Sequence, residues 1–203
     1  MHYRPEARDR TLLPHDPIKA IVAPRPIGWI TAMSAKGEIN LSPYSFFNLL
    51  SSPPTPIVVF SSEGKKDAVS FIEETGEFTC SLATFEMAQQ MSLTSAPLPR
   101  GTSEYDFAKL ETAPSTLVKP PRVKDTPAAL ECKLLSITEL TDIEGRKIDR
   151  FMVLGQVIGV YLDERHVING QFDMTSARTI ARCGYADYAV VDSVFSIQRP
   201  PGG

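Results

Sequence analysis

Between Ile27 and Ala32 apolar residues occupy both phases of a short run, Ile27 and Trp29 on one and Ile30 and Ala32 on the other, which predicts a two-sided strand. Lys36-Gly37 offers a tight turn and a second run begins at Glu38, so the pattern predicts a hairpin. Pro43 cannot donate a ladder hydrogen bond, and pairing is expected to break there and leave backbone amides free. Pro53, Pro54 and Pro56 mark a loop. The run Ile57-Val58-Val59-Phe60 that follows is wholly apolar and β-branched, and reads as a central strand.

An amphipathic helix is predicted next, with Asp67 as its N-cap and Ala68, Phe71 and Ile72 on one face. Glu77 to Ala83 alternates as a strand, and Thr84 to Met91 reads as a helix through Phe85, Ala88 and Met91, with Met87 and Met91 in the core. Ser92 to Leu110, with Pro97, Pro99 and Gly101, is too long for a common turn, so it reads as a functional or an interface segment. Ala128 to Ile137 is a strand with Leu130, Cys132 and Leu134 on one face. Phe151 to Leu162 is a longer one, in which Gly155 and Gly159 suit the bends of a closing barrel. Short strands punctuated by 17 prolines predict a mainly β fold of barrel type with a few peripheral helices. The division expected is an N-terminal arm over residues 1–15, one domain over 16–195 and a flexible tail over 196–203.

Composition narrows the classes. At 203 residues one domain suffices, able to bury about 70% of its unfolded surface. A formal net charge of -3 with 22% charged residues leaves no basic footprint for nucleic acid. Cys80, Cys132 and Cys183 stand far apart, which fits neither a zinc knuckle nor a disulfide framework, so no metal site is expected and a reducing cytoplasm is the simplest home. The start, MHYRPEARDR, has no apolar signal region, and no run approaches the roughly 18 apolar residues of a membrane span.

Candidate chemistry gathers in two phrases, Pro24-Arg25-Pro26-Ile27-Gly28-Trp29-Ile30-Thr31 and Asn40-Leu41-Ser42-Pro43-Tyr44-Ser45-Phe46-Phe47-Asn48. The hydroxyls of Thr31, Ser42 and Ser45 suit anions and carbonyls, Phe46 and Phe47 can wall a ring, and Asn48 can pair with a heterocycle edge. On the residues alone a flat, phosphate-bearing cofactor and an ordinary aromatic core with turn chemistry both remain open. Ser61, Ser62, Gly64, Lys65, Lys66 and Asp67 form a second cluster before the helix, either a phosphate seat or a solvated loop. His166 has a pKa suited to proton transfer, or is a surface-loop histidine. No GxGxxG follows a strand and no Walker sequence appears, so a Rossmann nicotinamide domain is excluded.

The two phrases, followed by PPTPIVVFSS, GKKDAVSFIEETGEFTCSLA, TSAPLPRGTSEYDFAKL, AALECKLLSI and VLGQVIGVYLDERHV, resemble the flavin reductase-like, FMN-binding split-barrel family in content and order, over roughly Asp16 to Tyr188. The resemblance implies a Greek-key split β-barrel, with FMN ahead of FAD or a deazaflavin. It implies cofactor contacts at Arg25, Pro26, Trp29, Ile30, Thr31, Ser45, Phe46, Phe47 and Asn48, with Trp29 supporting the site from behind. Ser61, Ser62, Lys66 and Asp67 would serve the phosphate and ribityl region, with Lys65 as the alternative cation, and Arg178 and Tyr185 would close the site. Where the family shows Val-Asn, this chain has Cys80-Ser81, which puts a contact there in doubt. Arg100, Glu104, Tyr105, Asp106 and Phe107 are candidates to gate the ring. The activity implied is hydride transfer from NAD(P)H to flavin N5. An FMN electron carrier of the flavoredoxin kind, reduced by a protein partner, is the alternative. A homodimer with flavin at its interface and an oxygenase or redox partner complete the expectation.

Overall fold

The structure is a computed structural model that describes residues 1–99 and 102–200. A short turn of helix, α1 (Ile18–Ile21), precedes β1 (Arg25–Pro26), β2 (Gly28–Met33), β3 (Ile39–Tyr44), β4 (Phe47–Ser51) and β5 (Ile57–Glu63). Then come α2 (Asp67–Thr75), β6 (Glu77–Leu82), α3 (Ala88–Leu93), α4 (Glu104–Phe107), β7 (Thr112–Ala113) and β8 (Arg122–Val123). Two long strands follow, β9 (Ala128–Thr141) and β10 (Lys147–Leu162). The remaining elements are β11 (Val167–Ile168), β12 (Gln171–Phe172), β13 (Ile180–Gly184) and β14 (Asp187–Val190).

Seven strands form one antiparallel sheet in the order β3-β2-β6-β9-β10-β5-β4. Its two edge strands, β3 and β4, are joined by Ser45 and Phe46 alone, a link that spans no more than ~10 Å. The sheet must therefore curl until its edges meet. Its edges touch without a ladder between them, a half-barrel that stays split along this seam. Register shifts at Leu154/Gly155 and Val157/Gly159 supply the bends, as the glycines led one to expect. Gly155 has a second role: a Cβ there would lie 2.2 Å from the ring of the fully buried Phe78.

The concave side holds Ile30, Val58, Phe60, Phe78, Cys132 and Val153, plugged by Ala68, Val69, Phe71 and Ile72 of α2. The other side of β2 and β3 packs Trp29 and Leu41 against Met87, Met91, Tyr105 and Ile180. Both faces of β2 are thus covered. A small second sheet, β1-β13-β14, lies beside this outer core and carries α1 on β13.

Four expectations change. Pairing does not break at Pro43, which sits opposite Trp29 inside β3, because an edge strand tolerates a missing donor on its outer side. Ile57–Phe60 lies next to the β4 edge rather than at the centre, since β4 is the only strand beyond it. The helix after β6 is shorter than predicted: Thr84 bridges Thr179 and the Phe85 N–H donates to the Arg178 carbonyl, so helix starts only at Ala88. The N-cap of α2 is Lys66 rather than Asp67, which stands in the first turn and complements the helix dipole. The reading of Met87, Met91 and Cys132 as core residues agrees with the structure.

Candidate functional site

The outer edge of β3 carries a groove. Leu41 N–H on that edge donates to Glu104 Oε2 (3.1 Å), and Asn40 Nδ2 donates to Glu104 Oε1 (2.8 Å). Pro43, two residues on and facing the same way, has no N–H to present. The edge is sealed without another strand, and space remains on both sides of Pro43. One lobe, about 400 Å³, is lined by Ser42, Tyr44, Lys66, Asp67, Thr94 and Glu104 among others. The second, about 270 Å³, is lined by Lys19, Arg25, Ser45, Phe46, Arg182 and Tyr185 among others. Both touch Pro43 and Ser95, so they form one groove of a size that suits a small molecule.

Charge is unevenly spread along it. In the first lobe Lys66 caps α2, whose free N–H groups and dipole add positive potential, while Asp67 and Glu104 oppose it. Lys65 is drawn off by Glu73 at 2.6 Å. Burial pushes the Glu104 carboxyl above its ordinary range, against the pull of the Leu41 and Asn40 hydrogen bonds. Burial likewise pushes Tyr44 up to about 12, so it stays a neutral phenol. Its hydroxyl is buried with no hydrogen-bond partner, and so is Arg25 Nε. Buried polar atoms are nearly always paired, and these two orphans belong to residues that line the two lobes.

Of the residues predicted from sequence, the groove brings together Arg25, Ser45, Phe46, Lys66, Asp67 and Tyr185. Others lie elsewhere. Trp29 is enclosed in the outer core with its Nε1 donating to Thr94 Oγ1 (2.9 Å), which places it behind the groove wall. Ile30 is in the inner core, and Thr31 is fully buried with its hydroxyl 2.8 Å from Tyr105 OH, so neither side chain reaches the groove. Pro26 is exposed on β1, opposite Ala181. Phe47 packs on the inner core over Gly28, and Asn48 is exposed on β4 with its Oδ1 accepting from Leu49 N–H. Ser61 N–H donates to the Phe46 carbonyl, while the buried Ser62 hydroxyl is spent on the Gly64 carbonyl. Arg178 pairs with Glu86 at 2.9 Å and stacks on Phe85, away from the groove. His166 Nδ1 lies 2.9 Å from Ser176 Oγ, in an exposed turn outside both lobes.

The segment after α3 is anchored rather than loose. Glu104 grips the β3 edge and Tyr105 the Thr31 hydroxyl, whereas Phe107 is exposed and Arg100 falls outside the described residues. Lys19, Tyr44, Thr94, Arg182 and Tyr188 are groove residues that sequence reasoning left out of the site. Tyr44 sits inside the second phrase and was the one local signal available. Arg182 arrives only because β1 pairs with β13, in register Arg25 to Arg182.

A curled antiparallel sheet split at two touching edges, with a polar groove along one of them, defines the split-barrel class. A Shewanella frigidimarina protein described as having a split barrel domain matches with a TM-score of 0.85 at 23% identity, over 98% of this chain and 100% of that one. The chain belongs to the flavin reductase like domain family, a flavin-binding family whose profile matches residues 22–175. An uncharacterized protein of Deinococcus radiodurans is 35% identical over 176 residues, which is 80% of this chain and 74% of its own. The fold is shared with component B of nitrilotriacetate monooxygenase from Bacillus cereus (TM-score 0.86, 24% identity, 97% and 98% of the two chains). It is shared also with flavoredoxin of Desulfovibrio vulgaris (TM-score 0.79, 18% identity, 100% of each chain).

Proposed function

We propose that this protein binds FMN along the Pro43 groove and catalyses electron transfer to it from NAD(P)H. The observation that carries the reading is the buried, unpartnered hydroxyl of Tyr44, a residue of the lobe that Lys66 and Asp67 at the start of α2 also line. FMN fits that demand, being a plate edged with carbonyls and ring nitrogens and carrying a phosphate on a polyol arm. Lys66 and the first turn of α2 would hold the phosphate, the hydroxyls of Ser42 and Ser45 would meet the polar edge, and Phe46 would offer a ring face. When bound, FMN supplies a carrier that accepts hydride at N5. The chain's part is to orient the plate and keep one face dry, with no side chain required as a strong acid or base. A yellow protein that keeps its colour through gel filtration and bleaches rapidly with NADH or NADPH in stopped flow is the expected result. A colourless protein that takes up no FMN at micromolar concentration defeats the reading.

The likeness to flavoredoxin supports a second reading, a carrier reduced only by a protein donor, and the same stopped-flow experiment separates the two. The likeness to a monooxygenase component supports delivery of reduced flavin to an oxygenase. Leu49 and Leu50, exposed on the open β4 edge beside Phe46, support a homodimer that closes over the groove. The three cysteines are all free, which supports a reducing cytoplasm. Among the described residues no helix is long and apolar enough to cross a membrane.

A further inference from the structure

The second lobe carries a charge that the flavin reading leaves unused. Lys19, Arg25 and Arg182 line it and no aspartate or glutamate does. None of the three enters an ion pair among the described residues. Each cation is instead set over an aromatic face: Arg25 lies 5.7 Å and Lys19 6.0 Å from the Phe46 centroid, and Arg182 lies 4.5 Å from that of Tyr188. Arg25 is only 7% exposed. Its Nη1 is held by the carbonyls of Lys19 and Val22, which fixes the guanidinium in place while Nε stays without a partner. A fixed, buried and unpaired guanidinium flanked by two more cations is built for a multiply charged anion. A phosphate ester carries about -1.5 to -2 at neutral pH and accepts hydrogen bonds from a guanidinium fork.

We propose that this lobe docks the 2′-phosphate monoester of NADP(H), with Arg25 as the buried anchor, Arg182 as the second cation and Lys19 at the rim. The assignment rests on the FMN reading. Lys66 and α2 already offer the flavin phosphate a seat in the first lobe, and Phe46 lines the second. A dinucleotide entering past Tyr185 and Tyr188 would bring its 2′-phosphate to the three cations.

The test is a calorimetric titration of the FMN-loaded protein with NADP+ and of the FMN-free protein with FMN, for wild type, Arg25→Met, Arg182→Met, Arg182→Lys and Lys19→Met. Loss of one charge-assisted contact in each Met variant is expected to weaken NADP+ binding about tenfold, with FMN binding within about twofold and with Arg182→Lys recovering part of the loss. Lys19 and Arg182 are not buried, so those variants decide the matter if Arg25→Met does not fold. FMN affinity falling as far as NADP+ affinity assigns the lobe to the flavin's own phosphate and overturns the proposal. NADP+ binding unchanged in Arg182→Met and Lys19→Met overturns it also. A yellow protein with Arg182-independent NADP+ binding breaks only this proposal, whereas a protein that refuses FMN breaks the reading beneath it.

Discussion

The two edges of the seven-stranded sheet lie two residues apart along the chain and are treated in opposite ways. On β3 two successive outward positions are closed: Glu104 takes the Leu41 N–H together with the Asn40 amide, and Pro43 has no N–H to present. On β4 the side chains of Asn48, Leu49 and Leu50 stand exposed. An edge closed by side chains leaves room for a small molecule beside it, while an edge left open and apolar invites a second chain. The proposed cofactor groove and the proposed dimer face thus lie on the two sides of one seam, separated by Ser45 and Phe46.

That contrast can be broken from the β3 side first. Trp29 sits opposite Pro43 and ties the groove wall to Thr94, so Trp29→Ala should cost about 3–5 kcal/mol in urea unfolding and loosen FMN with it. Glu104→Ala leaves the Leu41 and Asn40 donors unanswered and should cost about 1–3 kcal/mol, with a matching loss of groove shape. A variant as stable as wild type would show that the edge needs no seal. On the β4 side the pair Leu49→Lys and Leu50→Lys should shift sedimentation equilibrium toward monomer while leaving monomer stability within about 0.5 kcal/mol. A double variant that assembles as wild type does would remove β4 from the interface.

The smallest effect is a slope with pH. The folded Glu104 carboxyl holds its proton to higher pH than the unfolded one, whose pKa is about 4.3. Its contribution to stability is therefore complete below that value and is lost as pH rises through the folded pKa. Urea midpoints of Glu104→Gln across that window should lack this component, and an unchanged slope would assign it to another group.

Much of this was open to reading in the sequence, for reasons that are local. The hairpin at Lys36-Gly37, the apolar face of α2 and the bends at Gly155 and Gly159 follow from neighbours a few residues apart, and each is found. The resemblance, rather than local pattern, joins the cluster from Arg25 to Asn48 and the Lys66-Asp67 pair in one site, and Arg25, Ser45, Phe46, Lys66 and Asp67 do meet in the groove. What escaped depends on strand order. The two-sided pattern of β2 is found, and it buries the side chains of Ile30 and Thr31, which the resemblance puts among the contacts. Pro43 looked like a break because nothing local marks β3 as an edge. Arg182 comes from a segment far along the chain, brought in by the β1–β13 register, while Glu104, expected as a gate to the ring, instead grips the β3 edge.

The carbonyls of Lys19 and Val22 that fix the Arg25 guanidinium belong to the stretch ahead of the barrel, and α1 packs so tightly on β13 that a Cβ at Gly184 would come within 2.8 Å of Ala20. The leading segment is thereby a working wall of the groove rather than packaging. Proteolytic clipping before Pro24, or a bulky fusion pressed against residues 17–22, would unlatch the buried cation and spoil the second lobe while the barrel itself stayed folded.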